Sequence, residues 1–331
     1  MTHRSSPEMS VIVITPDRYE TIRQAVAHLR AQSVRDRLEV VIVAPLADKL
    51  EADDLALGPF HSFQVVEVGE VGSVGAANAA GARRARAPVV AFVEEHSYPE
   101  PDWAEALIEA HRQPWAAVGP VVRNANKRST ISWADFLIGY GQWMDPSQGG
   151  VRDFLPGHNS SYKLPTLLQY GPELDSMLES ESTLHSDLRE KGHRLYLEPA
   201  AKISHLNFES LPVWIRAQYH SGRAFAAARS EHWPLLRRLL YAGAGPLIPV
   251  VRLRRILDEL HRPGRPLHLF PAVLPALLLG LGLSAVGETI GYSWDAGDSV
   301  ERQYDLEFHR VRHLTQTSEP PGPRADPEAR P

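Results

Sequence analysis

Four short runs of mostly β-branched and apolar residues constrain the fold of this chain more than any other feature. They cover Ser10–Thr15, Leu38–Ala44, Phe63–Val68 and the stretch 89–93. The first two runs are separated by apolar residues at helical spacing, namely Ile22, Val26 and Leu29, which predicts a βαβ unit. Strands that alternate with helices in this way predict an α/β fold with a mostly parallel, Rossmann-like sheet covered on both faces.

The fourth run stops abruptly at Glu94, Glu95 and His96, whose side chains are all able to bind a metal ion. In an open α/β sheet, ligands bind at the carboxyl ends of the strands. Alternation along a strand directs Glu94 and His96 to one face and Glu95 to the other. The pattern therefore predicts a divalent cation site, and the alternative is a strand that ends in solvated charges.

The order of these elements resembles the family 2 inverting glycosyltransferases with the GT-A fold. Three segments carry the resemblance: Thr15-Pro16-Asp17, Gly75-Ala-Ala-Asn78 and Glu94-Glu-His96, the last in place of the family's Asp-x-Asp motif. It implies a nucleotide-sugar donor, and the implied donor-binding residues in this part of the chain are Thr15, Pro16, Asp17, Gly75, Asn78 and Glu95. Glu94 and His96 become metal ligands, for which Mn²⁺ or Mg²⁺ is suitable, with imidazole favouring Mn²⁺.

The resemblance continues beyond the sheet strands. Leu155–Tyr162 matches the family's donor-sugar segment, which implies donor contacts from Gly157, His158 and Asn159. His205 matches a metal-binding histidine and is the third implied ligand. His185 and Trp103 are candidate acceptor or substrate contacts.

The segment Ser180–Gly192 is similar to the helix that carries the family's catalytic acid, and Glu181 takes that acid's place. An acceptor hydroxyl has a pKa far above neutrality, so its attack on a sugar needs a carboxylate that accepts the proton. Glu181 is the candidate base, with Glu179 the next candidate. The alternative is that Glu181 is only an acidic residue at a helix N-terminus, where the helix dipole interacts favourably with its negative charge.

The C-terminal third of the chain combines arginines with a long apolar run. Residues 211–266 hold ten arginines but only three acidic residues, and the run 269–286 has no charge. A membrane span needs about 20 apolar residues, so the run is of borderline length. A spanning or re-entrant helix, interfacial helices on an anionic leaflet and a buried helical hairpin all remain open, and membrane association is favoured.

Composition limits the remaining classes of function. The chain has no cysteine, which excludes disulfides and thiol catalysis, and its net charge of −5 argues against nucleic-acid binding. No apolar signal segment is evident at the N-terminus. The expected organisation is a catalytic domain over 1–210, a helical, membrane-associated region over 211–314 and a disordered tail over 315–331.

These observations predict an inverting, metal-dependent glycosyltransferase at the cytoplasmic face of the membrane. Its partners would be a nucleotide-sugar donor, a glycan or lipid-linked acceptor and the membrane surface. A catalytically degenerate binding or scaffold protein is the alternative, because the second run is followed by Pro45-Leu-Ala47 without an acid and Ser180 replaces one acid of the family's pair. A sugar nucleotidyltransferase would show a basic activating loop near the N-terminus, and none is evident.

Overall fold

A nine-stranded sheet dominates the N-terminal part of the computed structural model, which describes residues 6–50, 58–313 and Gly322. The described residues form two units: 6–123 with 145–205, and 124–144 with 206–313. The strands are β1 (Met9–Ile14), β2 (Leu38–Ala44), β3 (Ser62–Glu67), β4 (Val89–Val93), β5 (Ser97–Pro99), β6 (Ala117–Asn124), β7 (Gly150–Arg152), β8 (Ser161–Lys163) and β9 (Leu195–His205). The tail predicted to be disordered lies outside the described residues, apart from Gly322.

The helices are shared between the two units. In chain order they are α1 (Tyr19–Arg30), α2 (Val74–Arg84), α3 (Trp103–Ala110), α4 (Thr130–Gly139), α5 (Leu164–Leu168), α6 (Leu174–Glu179), α7 (Glu181–Glu190), α8 (Leu211–Ser230), α9 (Leu235–Gly243), α10 (Ile248–Leu260), α11 (Phe270–Ser293) and α12 (Ser299–Phe308). The second unit contains α4 and α8 to α12.

The first half of the sheet is parallel, in the order β3-β2-β1-β4. Ile12 of β1 lies opposite Val41 of β2 and Phe92 of β4, and all three side chains are buried. Helices on both faces of a parallel sheet require such continuous apolar strands. The α/β class predicted from the sequence is confirmed.

The second half of the sheet contains several antiparallel pairs and supplies the other wall of the candidate site. Strand β8 pairs with β4 and β6, while β9 pairs with both β5 and β7. The pattern in 194–205 predicts two strands, but the structure has one strand, β9. Its pairing with β7 ends at Leu197 and its pairing with β5 begins at Ile203. Pro199 lies between these two ladders.

The second unit is built around α11, which packs mainly along α8 and also against α4, α9 and α10. Glycines permit the close approach of α8 and α11. A Cβ at Gly287 would lie 2.2 Å from the Tyr219 carbonyl oxygen, and one at Gly291 would lie 2.4 Å from that of Arg223. Within the described residues, Leu267–Ser293 is the one helical stretch long and apolar enough to cross a membrane.

Candidate metal and acid–base site

Three predicted metal ligands converge at the carboxyl end of β4. Glu94 follows β4, His96 precedes β5, and His205 ends β9, whose register places it opposite Ser97. The Nε2 atoms of His96 and His205 are 3.1 Å apart, and they lie 3.8 and 3.6 Å from Oε2 of Glu94. Both histidines are 2% exposed and the glutamate is 17% exposed. The cluster can therefore present two imidazole nitrogens and one carboxylate oxygen to a single ion.

Glu95 orients one of these histidines. Its Oε1 lies 2.8 Å from Nδ1 of His96, and the carboxylate is buried. Donation from Nδ1–H to Glu95 leaves the lone pair on Nε2 directed at the cluster, which is the tautomer that a metal ligand requires. The structure thus places Glu95 behind His96, whereas the resemblance assigns it to the donor. The donor set fits a divalent cation, and imidazole nitrogens favour ions softer than Mg²⁺.

Asn159 connects the cluster to the turn Gly157–Asn159. It is fully buried, its amide nitrogen donates to Oε2 of Glu94, and its Oδ1 accepts a longer hydrogen bond from the Glu94 backbone N–H. Donor-sugar contact is the role implied by the resemblance, but the observed partner of Asn159 is the carboxylate of Glu94. This interaction holds Glu94 in position for a cation.

His158, in the same turn, meets the candidate base. Its Nδ1 lies 2.6 Å from Oε1 of Glu181, the first residue of α7. Burial opposes protonation of His158, but the charge and contact of Glu181, with Glu94 and Glu179 adding to them, raise the pKa of His158 to about 10. The ring is therefore an imidazolium at neutral pH, although 34% of its side chain is exposed.

Gly157 makes room for this carboxylate. A Cβ at Gly157 would lie 3.0 Å from Oε2 of Glu181. His158 contacts the other oxygen, Oε1, and a side chain at position 157 would crowd Oε2. The turn Gly157–Asn159 therefore supplies space for Glu181, an ion pair to it, and a hydrogen bond to Glu94.

Two predicted acceptor contacts are core residues. Trp103 has no exposed surface, and His185 is 1% exposed. Nε2 of His185 lies 2.9 Å from the Tyr162 hydroxyl, and burial lowers the pKa of His185 to about 4 against the opposing charge of Glu181. Neither side chain reaches the surface, so packing explains both residues, and acceptor contact stays a prediction.

The predicted donor-binding residues at the start of α2 also have structural explanations. Glu179 accepts hydrogen bonds from Oγ of Ser73 at 2.6 Å and from the backbone N–H of Gly75 at 2.7 Å, so it satisfies the helix N-terminus. A Cβ at Gly75 would lie 2.3 Å from the Asp175 carbonyl oxygen. Asn78 is 3% exposed. Packing between α2 and α6 thus accounts for Gly75, and Glu179 is engaged away from the acid–base pair.

Thr15, Pro16 and Asp17 follow β1 at the edge that also carries Glu94. Val13 of β1 lies opposite Val93 of β4, so the residues that follow both strands share this edge. The Thr15 hydroxyl donates to the Arg18 carbonyl oxygen at 2.7 Å, and Asp17 accepts from the Arg18 backbone N–H at 2.7 Å. These bonds shape the loop into α1 and keep its backbone beside the site.

Comparison with known protein families gives a match over the N-terminal part of the chain. Residues 10–167 match the family model described as "Glycosyl transferase family 2". With the strand order described above, the unit is a GT-A-like mixed α/β domain. No curated protein matches the chain by sequence.

Two solved structures share weak similarity with the chain. One is the crystal structure of GalNAc-T7 with UDP, GalNAc and Mn²⁺, at 11% identity and a TM-score of 0.47 over 61% of this chain. This chain spans 44% of the length of that one. The other is S. aureus TarS 1-349 in complex with UDP, at 15% identity and a TM-score of 0.45 over 85% of this chain and 90% of that chain.

Proposed function

We propose that this chain is an inverting, metal-dependent glycosyltransferase that moves a sugar from a nucleotide-diphosphate donor to a hydroxyl of a glycan or lipid-linked acceptor. The observation that carries the proposal is the turn Gly157–Asn159, which contacts both a candidate metal ligand and the candidate base. Asn159 bonds the metal-binding carboxylate of Glu94, and His158 pairs with the candidate base Glu181. One short turn therefore couples the position of the leaving group to that of the base.

Glu94, His96 and His205 would hold the cation, with Glu95 orienting His96. A bound Mn²⁺ or Mg²⁺ supplies positive charge to the departing diphosphate. Glu181 receives the proton of the acceptor hydroxyl as the new glycosidic bond forms, which contributes about 10²-fold or more to such reactions. His158 fixes one carboxylate oxygen and leaves the other for the acceptor.

A catalytically degenerate sugar-binding or scaffold protein is the second candidate. The observations that favour it are Ser180 beside Glu181, where the family resemblance implies a second acid, and the ion pair that already engages Glu181. This candidate retains donor binding but has no turnover. Glu181 would then serve only to order the turn through His158.

A donor-hydrolysis screen across nucleotide-sugars, with Mn²⁺ and with Mg²⁺, separates the two candidates. The proposed enzyme releases nucleoside diphosphate from one donor in a metal-dependent way. Glu181→Gln lowers this release by about 10²-fold or more, while calorimetry still detects donor binding. Binding of a donor without hydrolysis or transfer in the wild type, with every acceptor fraction tested, would establish the degenerate protein.

We also propose that the site works at the cytoplasmic face of the membrane, where nucleotide-sugars are available.

A further inference from the structure

Helix α9 exposes its leucines and packs through the opposite face, which contains Arg238 and Ala242. Its four leucines, Leu235, Leu236, Leu239 and Leu240, are 66, 81, 52 and 69% exposed, and Ala242 is its buried residue. The opposite face carries Arg238, which is partly buried, and Arg237 beside it is exposed. Arg238 donates to the carbonyl oxygens of Tyr292 and Trp294, and the Arg237 guanidinium lies 3.9 Å from the centre of the Trp233 ring. A helix that faces water normally has the reverse arrangement.

The exposed apolar residues continue into the next helix. Leu247 precedes α10 and is 63% exposed, and Val250 and Val251 in its first turns are 64 and 47% exposed. We call the set of Leu235, Leu236, Leu239, Leu240, Leu247, Val250 and Val251 the α9–α10 apolar surface. Concentrated exposure of large aliphatic side chains marks a surface that is covered in the functional state.

The charged residues beside the α9–α10 apolar surface indicate which partner covers it. Arg254 and Arg255 stand one turn after Val250 and Val251 on the same exposed face of α10. Residues 235–262 contain six arginines and two acidic residues. Aliphatic side chains bordered by arginines fit the boundary between acyl chains and anionic headgroups, where each arginine adds electrostatic attraction.

Helix α11 is held in a way that disfavours crossing the bilayer. Glu288 of this helix is buried, and its carboxylate lies 2.8 Å from the Arg252 guanidinium. Its glycine face is covered by α8, which exposes Arg216 and Arg229. A spanning α11 would carry these arginines and the Glu288–Arg252 pair into hydrocarbon, at a high energetic cost.

We propose that the α9–α10 apolar surface inserts into one leaflet of an anionic lipid bilayer, so that the chain is attached to the membrane without spanning it. The leucines and valines enter the acyl boundary, while Arg254 and Arg255 meet the headgroups. The hydrogen bonds of Arg238 to Tyr292 and Trp294 keep the leucine face of α9 turned outward. This inference concerns attachment and is independent of the proposed transfer reaction.

The test is flotation of the full-length protein with vesicles of phosphatidylcholine, alone or mixed with phosphatidylglycerol. The wild type should float with the anionic vesicles, and rising salt should weaken its binding. The double variant Leu236→Glu/Leu240→Glu should lower the bound fraction by at least ~10-fold, because two apolar side chains no longer enter the lipid. Leu168→Glu, at a leucine 43% exposed in the sheet unit, is the matched control and should bind as the wild type does. Arg254→Gln/Arg255→Gln should remove most of the preference for anionic lipid.

Several outcomes would overturn the proposal. A wild type that ignores anionic vesicles, or a Leu236→Glu/Leu240→Glu variant that floats like the wild type, excludes this surface. If the Leu236→Glu/Leu240→Glu variant stays in cell membranes after alkaline carbonate washing, α11 spans the membrane. A wild-type dimer in solution that the double variant dissociates, without vesicle binding, would show that a second copy covers the surface. Circular dichroism of each variant verifies the fold.

Discussion

His158 and Glu181 form an ion pair in which Nδ1 of the imidazole lies 2.6 Å from Oε1 of the carboxylate. The Nδ1 atom is buried although part of the ring is exposed, so the contact is shielded from water. Asn159, the next residue after His158, bonds Glu94 of the metal cluster. The pair therefore links the candidate base to the candidate cation site through adjacent residues.

Replacing Glu181 by glutamine should lower turnover by about 10²-fold or more, because an amide cannot accept the acceptor's proton. Donor affinity should stay within a few-fold of the wild type, as measured by calorimetry. Glu190→Gln, at the exposed end of the same helix, is the matched control and should keep wild-type turnover. Equal loss of donor binding and turnover in Glu181→Gln would instead assign Glu181 to the donor pocket.

Removal of the Glu181 charge should also lower the pKa of His158 from about 10, since burial opposes protonation and the largest opposing contribution is lost. A raised folded-state pKa stabilises the fold fully below 6.5, and this contribution disappears as the pH rises through about 10. Wild type and Glu181→Gln should therefore differ most in unfolding free energy just below pH 6.5 and converge as the pH rises through about 10. NMR titration of His158 measures the shift directly; an unchanged pKa in the variant would refute the ion pair.

His96→Ala and His205→Ala should each abolish measurable Mn²⁺ binding in calorimetry, since each removes one of three ligands. Glu95→Gln should weaken Mn²⁺ binding by roughly 10- to 100-fold, because it disturbs the tautomer and orientation of His96. His193→Ala removes a histidine outside the cluster and is the matched control. Wild-type metal affinity in both alanine variants would rule out the cluster as the metal site.

His111 should make the protein sensitive to acid. Burial, aided by the charge of Lys163, lowers the pKa of His111 to about 3 from 6.5. A depressed folded-state pKa means that the unfolded chain binds the proton first, so stability is present above 6.5 and is lost as the pH falls towards 3. Each pH unit in this window costs about 1.4 kcal/mol for one such group.

His111→Leu should reduce this slope when urea unfolding is compared at neutral and mildly acidic pH. The hydroxyl of Ser161, which meets Nε2 of His111 at 2.9 Å, donates to the Val118 carbonyl oxygen and retains that bond in the variant. A slope equal to that of the wild type would indicate that other groups govern acid unfolding.

Gly75→Ala should destabilise the fold by about 2 kcal/mol, because the added methyl group meets backbone atoms that cannot move independently. Its Cβ would lie 2.3 Å from the Asp175 carbonyl oxygen and 2.4 Å from the Glu179 nitrogen. Gly72→Ala is the matched control, since its Cβ would meet nothing within 4 Å. Thermal unfolding of both variants checks this, and equal midpoints would argue against the packing explanation.

The strands β1, β2 and β4 and the acidic edge after β4 follow from the sequence alone. Their apolar runs bury both faces of a parallel sheet, and that requirement is written in consecutive residues. The resemblance also singled out Glu94, His96 and His205 as candidate metal ligands and Glu181 as the candidate base. Local patterns and spacing are sufficient for such features because each depends on a short segment.

Only the tertiary structure decided which side chains meet. His158 reaches Glu181 across 23 positions, and His205 reaches His96 across 109, through the pairing of β5 with β9. No periodicity encodes these contacts, because they depend on how the ends of distant strands and helices are brought to one edge. Burial likewise placed Trp103 and His185 in the core. The outward face of α9 follows from both: the sequence supplies its leucines and arginines, but packing decided which of them face outward.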